Sequence, residues 1–453
     1  MNSFYAYINT LFGKLAQPGV LKNTVWLSAE KLISLISGFG IAIIAARFLG
    51  PEKFGNYSYY LSYAGIFLPL MTLGLNRILM REMQHRPGAV RTILVTAFLS
   101  RVIASLIVAI FALLILILFD NSAYSIAATC ILLMAQGFQS FQVYNMWFQH
   151  NSLNAIIARY RILCLVLGTI LKIIALLSTS NILVLLTVIC IEQIGINLGH
   201  YFIYRKFSSL ELESKGNFDS SVFKGLFGQS KYLILSGFAY MLYLKLDVIM
   251  LTQLVNPAEA GIYSAASRIT EAVQIFPEAL LVALYPNLLL LHSTQNSQYM
   301  AKLSQLIKVL FLSGFLVATT GFIIAPFIIP LIFGEAYNTS VDIIKIHLWA
   351  CCFLYMRSML SHWLIAEKYA QFSLISHGLG AVINLLLNSI LIPQYGAVGA
   401  AYATLAAVFV SSYACLLLSQ RTRPIFHMMT NAFNMPQTLL SLARLALQNK
   451  KDI

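Results

Sequence analysis

Twelve ionisable side chains stand inside stretches that are otherwise apolar, and they hold most of the chemistry this chain offers. Glu30, Lys31, Arg101, Lys172 and Glu192 lie in the first half; Lys245, Asp247, Arg268, Glu271, Glu278, Lys345 and Arg357 lie in the second. An ionisable group at membrane depth costs roughly 2.5–3.5 kcal/mol on insertion scales, so each needs a partner or a wet cavity. Left facing lipid, the whole set would cost tens of kcal/mol. Most of them must face an interior.

Their spacing sorts them. Arg268 and Glu271 are three residues apart, on one helical face, and can pair with each other. Lys245 and Asp247 are two apart, roughly 200° around a helix, so one is expected to face a cleft and the other a neighbouring helix. Lys31 and Lys345 lie near the ends of their stretches, where long side chains snorkel to the headgroups. Arg101, Lys172 and Arg357 sit deeper, with no carboxylate three or four residues away. These three, with Lys245 and Arg268, are the candidates for a cationic cavity. Arg offers a planar fork to phosphate oxygens and Lys a compact charge, so such a cavity suits an anion such as a diphosphate headgroup. Asp247, Glu192 and Glu30 read as unpaired carboxylates, available for proton or Na⁺ coupling or, like Glu271, as charge partners. The eight histidines show no paired ligand spacing, so no metal site is expected. Without a Walker A sequence, a GxSxG elbow or a dinucleotide fingerprint, neither a cofactor nor direct ATP drive is expected.

The elements that position these residues follow from composition. The 453 residues are 59% hydrophobic and 10% charged, with a mean hydropathy of +0.78, where a soluble chain carries roughly 25% charge. The apolar residues fall into blocks of about 18 to 28, long enough to cross a ~30 Å hydrocarbon layer as helices. Twelve spans result: 24–46, 57–79, 93–119, 124–148, 156–177, 182–204, 232–255, 262–291, 306–333, 341–365, 372–392 and 397–418. The expected fold is an all-α polytopic membrane protein. No cleavable signal peptide is expected ahead of the first span. The spacing of Phe4, Tyr7, Ile8, Leu11, Phe12 and Leu15 suggests a helix lying on the membrane surface, the alternative being a loose tail. All six cysteines lie in apolar segments and read as small packing residues. Gly38, Gly40, Gly378, Gly380, Gly396 and Gly399 read as sites of close helix packing.

Lys and Arg resist translocation and mark the cytoplasmic side. They recur at Lys14 and Lys22, at Arg77, Arg81, Arg86 and Arg91, at Arg159 and Arg161, at Arg205, Lys206, Lys215 and Lys224, and at Lys302, Lys368, Arg421 and Arg423. The alternate loops hold neither, except the first, near Arg47 and Lys53. Both termini are therefore expected in the cytoplasm. The net charge of +14 is mostly this signal, so no nucleic-acid partner is expected. No loop has room for a soluble domain.

The chain also repeats. Pro51, Gly55, Tyr57 and Ser58, after the first span, recur 206 residues later as Pro257, Gly261, Tyr263 and Ser264, after the seventh. Trp147 and Trp363 are a weaker echo. A common loop-to-helix turn would explain the match locally, but four identities in equivalent places favour duplication. Six helices between the copies give a parallel repeat, with a pseudo-two-fold axis along the membrane normal. Two such lobes would enclose a cleft that rocking opens to either side. The expected organisation is a tail over 1–23, an N-lobe over 24–210, a linker over 211–231, a C-lobe over 232–420 and a tail over 421–453.

Residues 46–58, Ala-Arg-Phe-Leu-Gly-Pro-Glu-Lys-Phe-Gly-Asn-Tyr-Ser, with the preceding Asn23-Thr-Val-Trp-Leu and the following Leu73-Gly-Leu-Asn-Arg-Ile-Leu-Met-Arg-Glu82, resemble the Wzx-type polysaccharide flippases of the MOP superfamily. Residues 392–402 are similar to that family's approach to its last span. The resemblance covers about residues 20 to 420. It implies two six-helix lobes in a V, a cationic central cavity, and export of undecaprenyl-diphosphate-linked sugar repeat units, such as O-antigen units, from the cytoplasmic to the periplasmic leaflet of a bacterial inner membrane. By motif position it places Arg77 and Arg81 in a basic stretch after span 2, Asp247 at an acidic position of span 7 and Arg268 in span 8. The implied partners are the lipid-linked oligosaccharide, membrane lipids and a polysaccharide polymerase. Two alternatives stay open. A MATE-like ion-coupled antiporter would want a cavity dominated by carboxylates, and a membrane polymerase or ligase would want a long catalytic periplasmic loop.

Overall fold

The computed structural model of the chain describes residues 18–208, 216–294, 296–436 and 438. The proposed surface helix of the N-terminal tail, up to residue 17, and the C-terminal tail beyond residue 438 lie outside them. The described residues form helices: α1 (Pro18–Thr72), α2 (Asn76–His85), α3 (Val90–Phe119), α4 (Ala123–Gly137), α5 (Val143–His150), α6 (Asn154–Ser178), α7 (Ile182–Ser208), α8 (Ser220–Leu254), α9 (Pro257–Val273), α10 (Ile275–Thr294), α11 (Asn296–Phe333), α12 (Ser340–Ala366), α13 (Ala370–Ser412) and α14 (Arg423–Phe433). In hydrocarbon no water satisfies backbone N–H and C=O groups, and a helix satisfies them within one segment.

Nine helical stretches among the described residues are long and apolar enough to cross a membrane. Two of them, Val25–Thr72 and Ala370–Leu418, each contain two predicted spans. Their helices run on through the predicted outer loops, bending at Gly50 (φ 71°) and Gly396 (φ 54°), where the left-handed backbone favours glycine. Predicted span 8 falls across α9 and α10, which part at Gln274. With that pair the twelve predicted spans are accounted for. Their boundaries shift. Span 2 begins at the Gly50 bend and ends at Thr72, because Leu73 and Gly74 both take positive φ (53° and 56°) before α2 starts anew. Span 4 is interrupted by a 3-10 turn, Phe138–Gln142, ahead of α5.

The helices gather into two compact units. The first comprises residues up to Leu49 together with Tyr60–Met241; the second comprises Gly50–Tyr59 and the chain from Leu242. Within the first unit, α3 turns an apolar stripe outward, Ile103, Leu106, Ile107, Ile110, Phe111 and Leu114, all more than half exposed. That three-and-four spacing on a helix otherwise packed by Ala97, Ala112 and Leu116 is a lipid-facing side. The core of this unit sits where α2, the start of α3 and α5 meet, around Leu79, Met83, Ile93, Val143 and Phe148.

In the second unit α12 is the most enclosed helix. Of its apolar stretch 72% is buried, and a helix apolar on all sides belongs inside a bundle. Backbones come close there: a methyl group on Gly314 of α11 would lie 2.9 Å from the carbonyl of Cys351. The repeated motif also meets itself in this unit. A Cβ on Gly55 would lie 1.7 Å from the carbonyl oxygen of Pro257, and one on Gly261 would lie 2.0 Å from that of Pro51. Of the glycines expected to pack closely, Gly380 and Gly399 do so, while Gly38, Gly40 and Gly378 face open space. Cys190, Cys351, Cys352 and Cys415 are buried as packing residues, but Cys130 is exposed.

Candidate functional site

In the first unit Lys172, Glu192 and Glu30 find ion-pair partners. Lys172 of α6 donates to Glu192 of α7 across 2.7 Å, with side chains only 10% and 4% exposed. Gly168, one turn before Lys172, makes the room, since a Cβ there would lie 2.5 Å from the Glu192 carboxyl carbon. Glu30, buried in α1, pairs with Arg161 of α6 at 3.0 Å. The expectation that Glu192 and Glu30 are unpaired is therefore corrected: their partners lie on neighbouring helices, beyond the reach of any rule based on spacing along one helix. The same face of α1 is held to α6 by Asn23, which accepts from the amide of Ala155 at 3.0 Å, and by Trp26, whose ring lies under the Arg159 guanidinium.

Arg101 of α3 is fully buried. Its Nη2 donates to Asn76 Oδ1 at 2.7 Å, and its Nε and Nη1 have no hydrogen-bond partner. The side chain of Arg77 lies outside the described residues. Arg81 is exposed and donates to Gln229.

In the second unit three charged side chains form one cluster. Lys245 of α8 donates to Glu271 Oε1 at 2.7 Å, and Arg268 of α9 reaches Glu271 Oε2 at 3.1 Å. Two cations thus share one carboxylate, leaving a surplus positive charge. The side chains remain 23%, 28% and 43% exposed for Lys245, Arg268 and Glu271, so the cluster is open to a ligand. The expected intrahelical pair of Arg268 and Glu271 forms, and Lys245 joins it from the next helix.

Asp247 points the other way, as its spacing from Lys245 requires, and is fully buried. Its Oδ1 accepts from Asn384 Nδ2 at 2.9 Å and Asn388 Nδ2 at 2.5 Å. Its Oδ2 accepts from the hydroxyls of Tyr263 and Thr404. Four neutral donors surround one carboxylate, the full complement such a group can accept, and no cation is among them. Asn384 and Asn388 are four apart on α13, one helical face in an apolar stretch, and that spacing is the signal in the sequence for this cage.

Arg357 of α12 is buried. It donates to the Ser411 carbonyl at 2.9 Å and lies 2.7 Å from His377 Nε2, and the other ring nitrogen of His377 faces the Tyr243 hydroxyl at 3.3 Å. Glu278 and Lys31 are exposed, and Lys345 lies 4.0 Å from Asp342 and over the Phe322 ring. Among the described residues, no group of three or more His, Cys, Asp or Glu side chains is placed to hold a metal ion. A cavity of about 810 Å³ in the second unit, between Phe311, Trp349, Phe353, Tyr402, Phe409 and Phe433, is apolar and contains none of the charged residues.

The model of the family described as "Polysaccharide biosynthesis protein" matches residues 20–292. Among solved structures, the chain is similar to the lipid II flippase MurJ in an inward closed conformation, at 16% identity and a TM-score of 0.64, covering 90% of this chain and 91% of that one. It is similar to an inward-facing multidrug resistance MATE family transporter of the MOP superfamily, at 15% identity and a TM-score of 0.66, covering 90% and 99%. A MOP superfamily transporter from Pyrococcus furiosus gives 14% identity and a TM-score of 0.54 over 91% and 94%. No curated protein matches the chain. At such identities the likeness is one of fold: a polytopic helical membrane architecture of the MOP and MATE kind.

Proposed function

The chain belongs to the polysaccharide biosynthesis protein family, and from that membership we propose that it is a flippase for undecaprenyl-diphosphate-linked oligosaccharide repeat units, of O-antigen or a related polysaccharide. It carries them from the cytoplasmic to the periplasmic leaflet of a bacterial inner membrane by alternating access, with both termini in the cytoplasm. Membrane transport by a MOP-superfamily fold is the frame for this reading. The observation that carries it is the cluster of Lys245, Arg268 and Glu271, in which two cations meet one carboxylate at a partly exposed position.

A diphosphate brings several acceptor oxygens and more than one negative charge. It can take over the surplus cation and share the donors of Lys245 and Arg268, while Glu271 holds both side chains in place in its absence. Lys172 and Arg357 hold no comparable free charge in this arrangement, since one is matched by Glu192 and the other is packed against Ser411 and His377. Proton or Na⁺ coupling is assigned to Asp247. Its cage of amide and hydroxyl groups can turn oxygens toward a hard cation, and Asn388 Oδ1 already lacks a partner. A polysaccharide polymerase is the expected consumer of the exported unit.

The test is a deletion strain with no other flippase, scored for surface polysaccharide and for lipid-linked units accessible from each leaflet. Units should accumulate on the cytoplasmic face while surface glycan is lost. Normal surface glycan would overturn the reading.

A further inference from the structure

We propose that the first unit contains a separate anion site, formed by the Arg101 guanidinium and the N-terminus of α2, which takes an oxyanion of the phosphate class. The proposal goes beyond the flippase reading and does not depend on it.

Arg101 is 0% exposed. Its single described hydrogen bond goes to Asn76, a neutral residue, and no described carboxylate lies within ion-pair distance. Nε and Nη1 have no partner at all. Burying an uncompensated guanidinium is among the costliest arrangements a fold can hold. Among the described residues the other deep cations are held, Lys172 by Glu192, Lys245 and Arg268 by Glu271, and Arg357 by the Ser411 carbonyl and His377.

The position of Arg101 gives the second half of the argument. Asn76, which holds its Nη2, is the first residue of α2. The N-cap is Leu75, and no side chain caps that end of the helix. First-turn amides lack intrahelical acceptors and carry the positive end of the helix dipole. A buried guanidinium and an uncapped helix N-terminus therefore converge through Asn76, two donors of positive potential side by side. Helix N-termini of this kind bind phosphate. An oxyanion suits the corner better than a halide, because its several oxygens can answer Nε, Nη1 and the amides at once.

Access is built into the same corner. Leu73 and Gly74, just ahead of α2, both have positive φ, and Asn76 is only partly buried.

The full-length protein in detergent is tested by thermal unfolding with inorganic phosphate, with phosphatidic acid in mixed micelles, and with chloride at matched ionic strength. At a ligand level about a hundredfold above Kd, phosphate or phosphatidic acid should raise Tm by a few degrees while chloride does not. Response to inorganic phosphate marks a free ion as the source; response to phosphatidic acid alone marks a lipid headgroup. Arg101→Met should abolish the rise, Arg101→Lys should weaken it, and Asn76→Ala should reduce it. Should Arg101→Met fail to accumulate, Arg101→Lys and Asn76→Ala decide. The proposal is overturned if neither phosphate species stabilises the wild type, if chloride does so equally, or if the variants respond as the wild type does.

Discussion

Lys172 and Glu192 close a 2.7 Å ion pair between α6 and α7 with almost no exposure to solvent, and Gly168 supplies the notch the carboxylate occupies. Removing one member of a buried pair strands the other, at a cost of about 3–5 kcal/mol, whereas replacing both with apolar groups of similar volume is often neutral or stabilising. Lys172→Met and Glu192→Leu should each lower the unfolding temperature sharply, and the double variant should recover most of the loss. Thermal unfolding in detergent checks this. A selective transport defect in a fully stable Lys172→Met protein would instead return Lys172 to the substrate path.

Lys245→Gln and Arg268→Gln should each reduce export by about tenfold or more, the value of one charge-assisted hydrogen bond to a ligand, with membrane insertion unchanged. Arg357→Gln should act differently, lowering stability and export together, because that side chain is buried against Ser411 and His377. Export assays scored beside protein levels separate the two classes.

Asp247→Asn keeps the size of the side chain but removes its charge. Export in proteoliposomes should then lose its dependence on the proton or Na⁺ gradient, whichever drives the wild type. Unchanged gradient dependence would remove Asp247 from coupling. Asn388→Ala should weaken the dependence without abolishing it.

Glu259 accepts the backbone amide of Ala397 at 2.9 Å, just past the bend at Gly396, and so acts as a cap for the second half of α13. Glu259→Ala should cost about 0.5–2 kcal/mol, as loss of a helix cap does, while Glu259→Gln should retain part of the contact. Thermal unfolding of both variants measures the difference.

Gly55→Ala and Gly261→Ala should each be destabilising by at least the roughly 1–3 kcal/mol of ordinary overpacking, because the atom in the way is a backbone carbonyl. Gly38→Ala and Gly40→Ala, which face open space, serve as neutral controls.

The spans were legible because twenty apolar residues in a row have few alternatives to a membrane helix. The bends were not. Gly50 and Gly396 sit in segments that read as loops, and whether a helix stops or merely bends depends on neighbours such as Glu259, which are remote in sequence. The site divides in the same way. Arg268 with Glu271, and the opposed directions of Lys245 and Asp247, follow from helical geometry alone. The partners of Lys172 and Glu30 are 20 and 131 residues away on other helices, and only the packing of the bundle selects them. Arg101 is the opposite case: the sequence offers no partner, and among the described residues Asn76 alone accepts from it.

The reciprocal contact of Gly55 with Pro257 and of Gly261 with Pro51 also bears on how the chain can evolve. Neither copy can acquire a methyl group unless the other withdraws its backbone, so the two positions cannot drift independently. A mutation tolerated at one would first require a permissive shift some 206 residues away, which ties the histories of these two positions together.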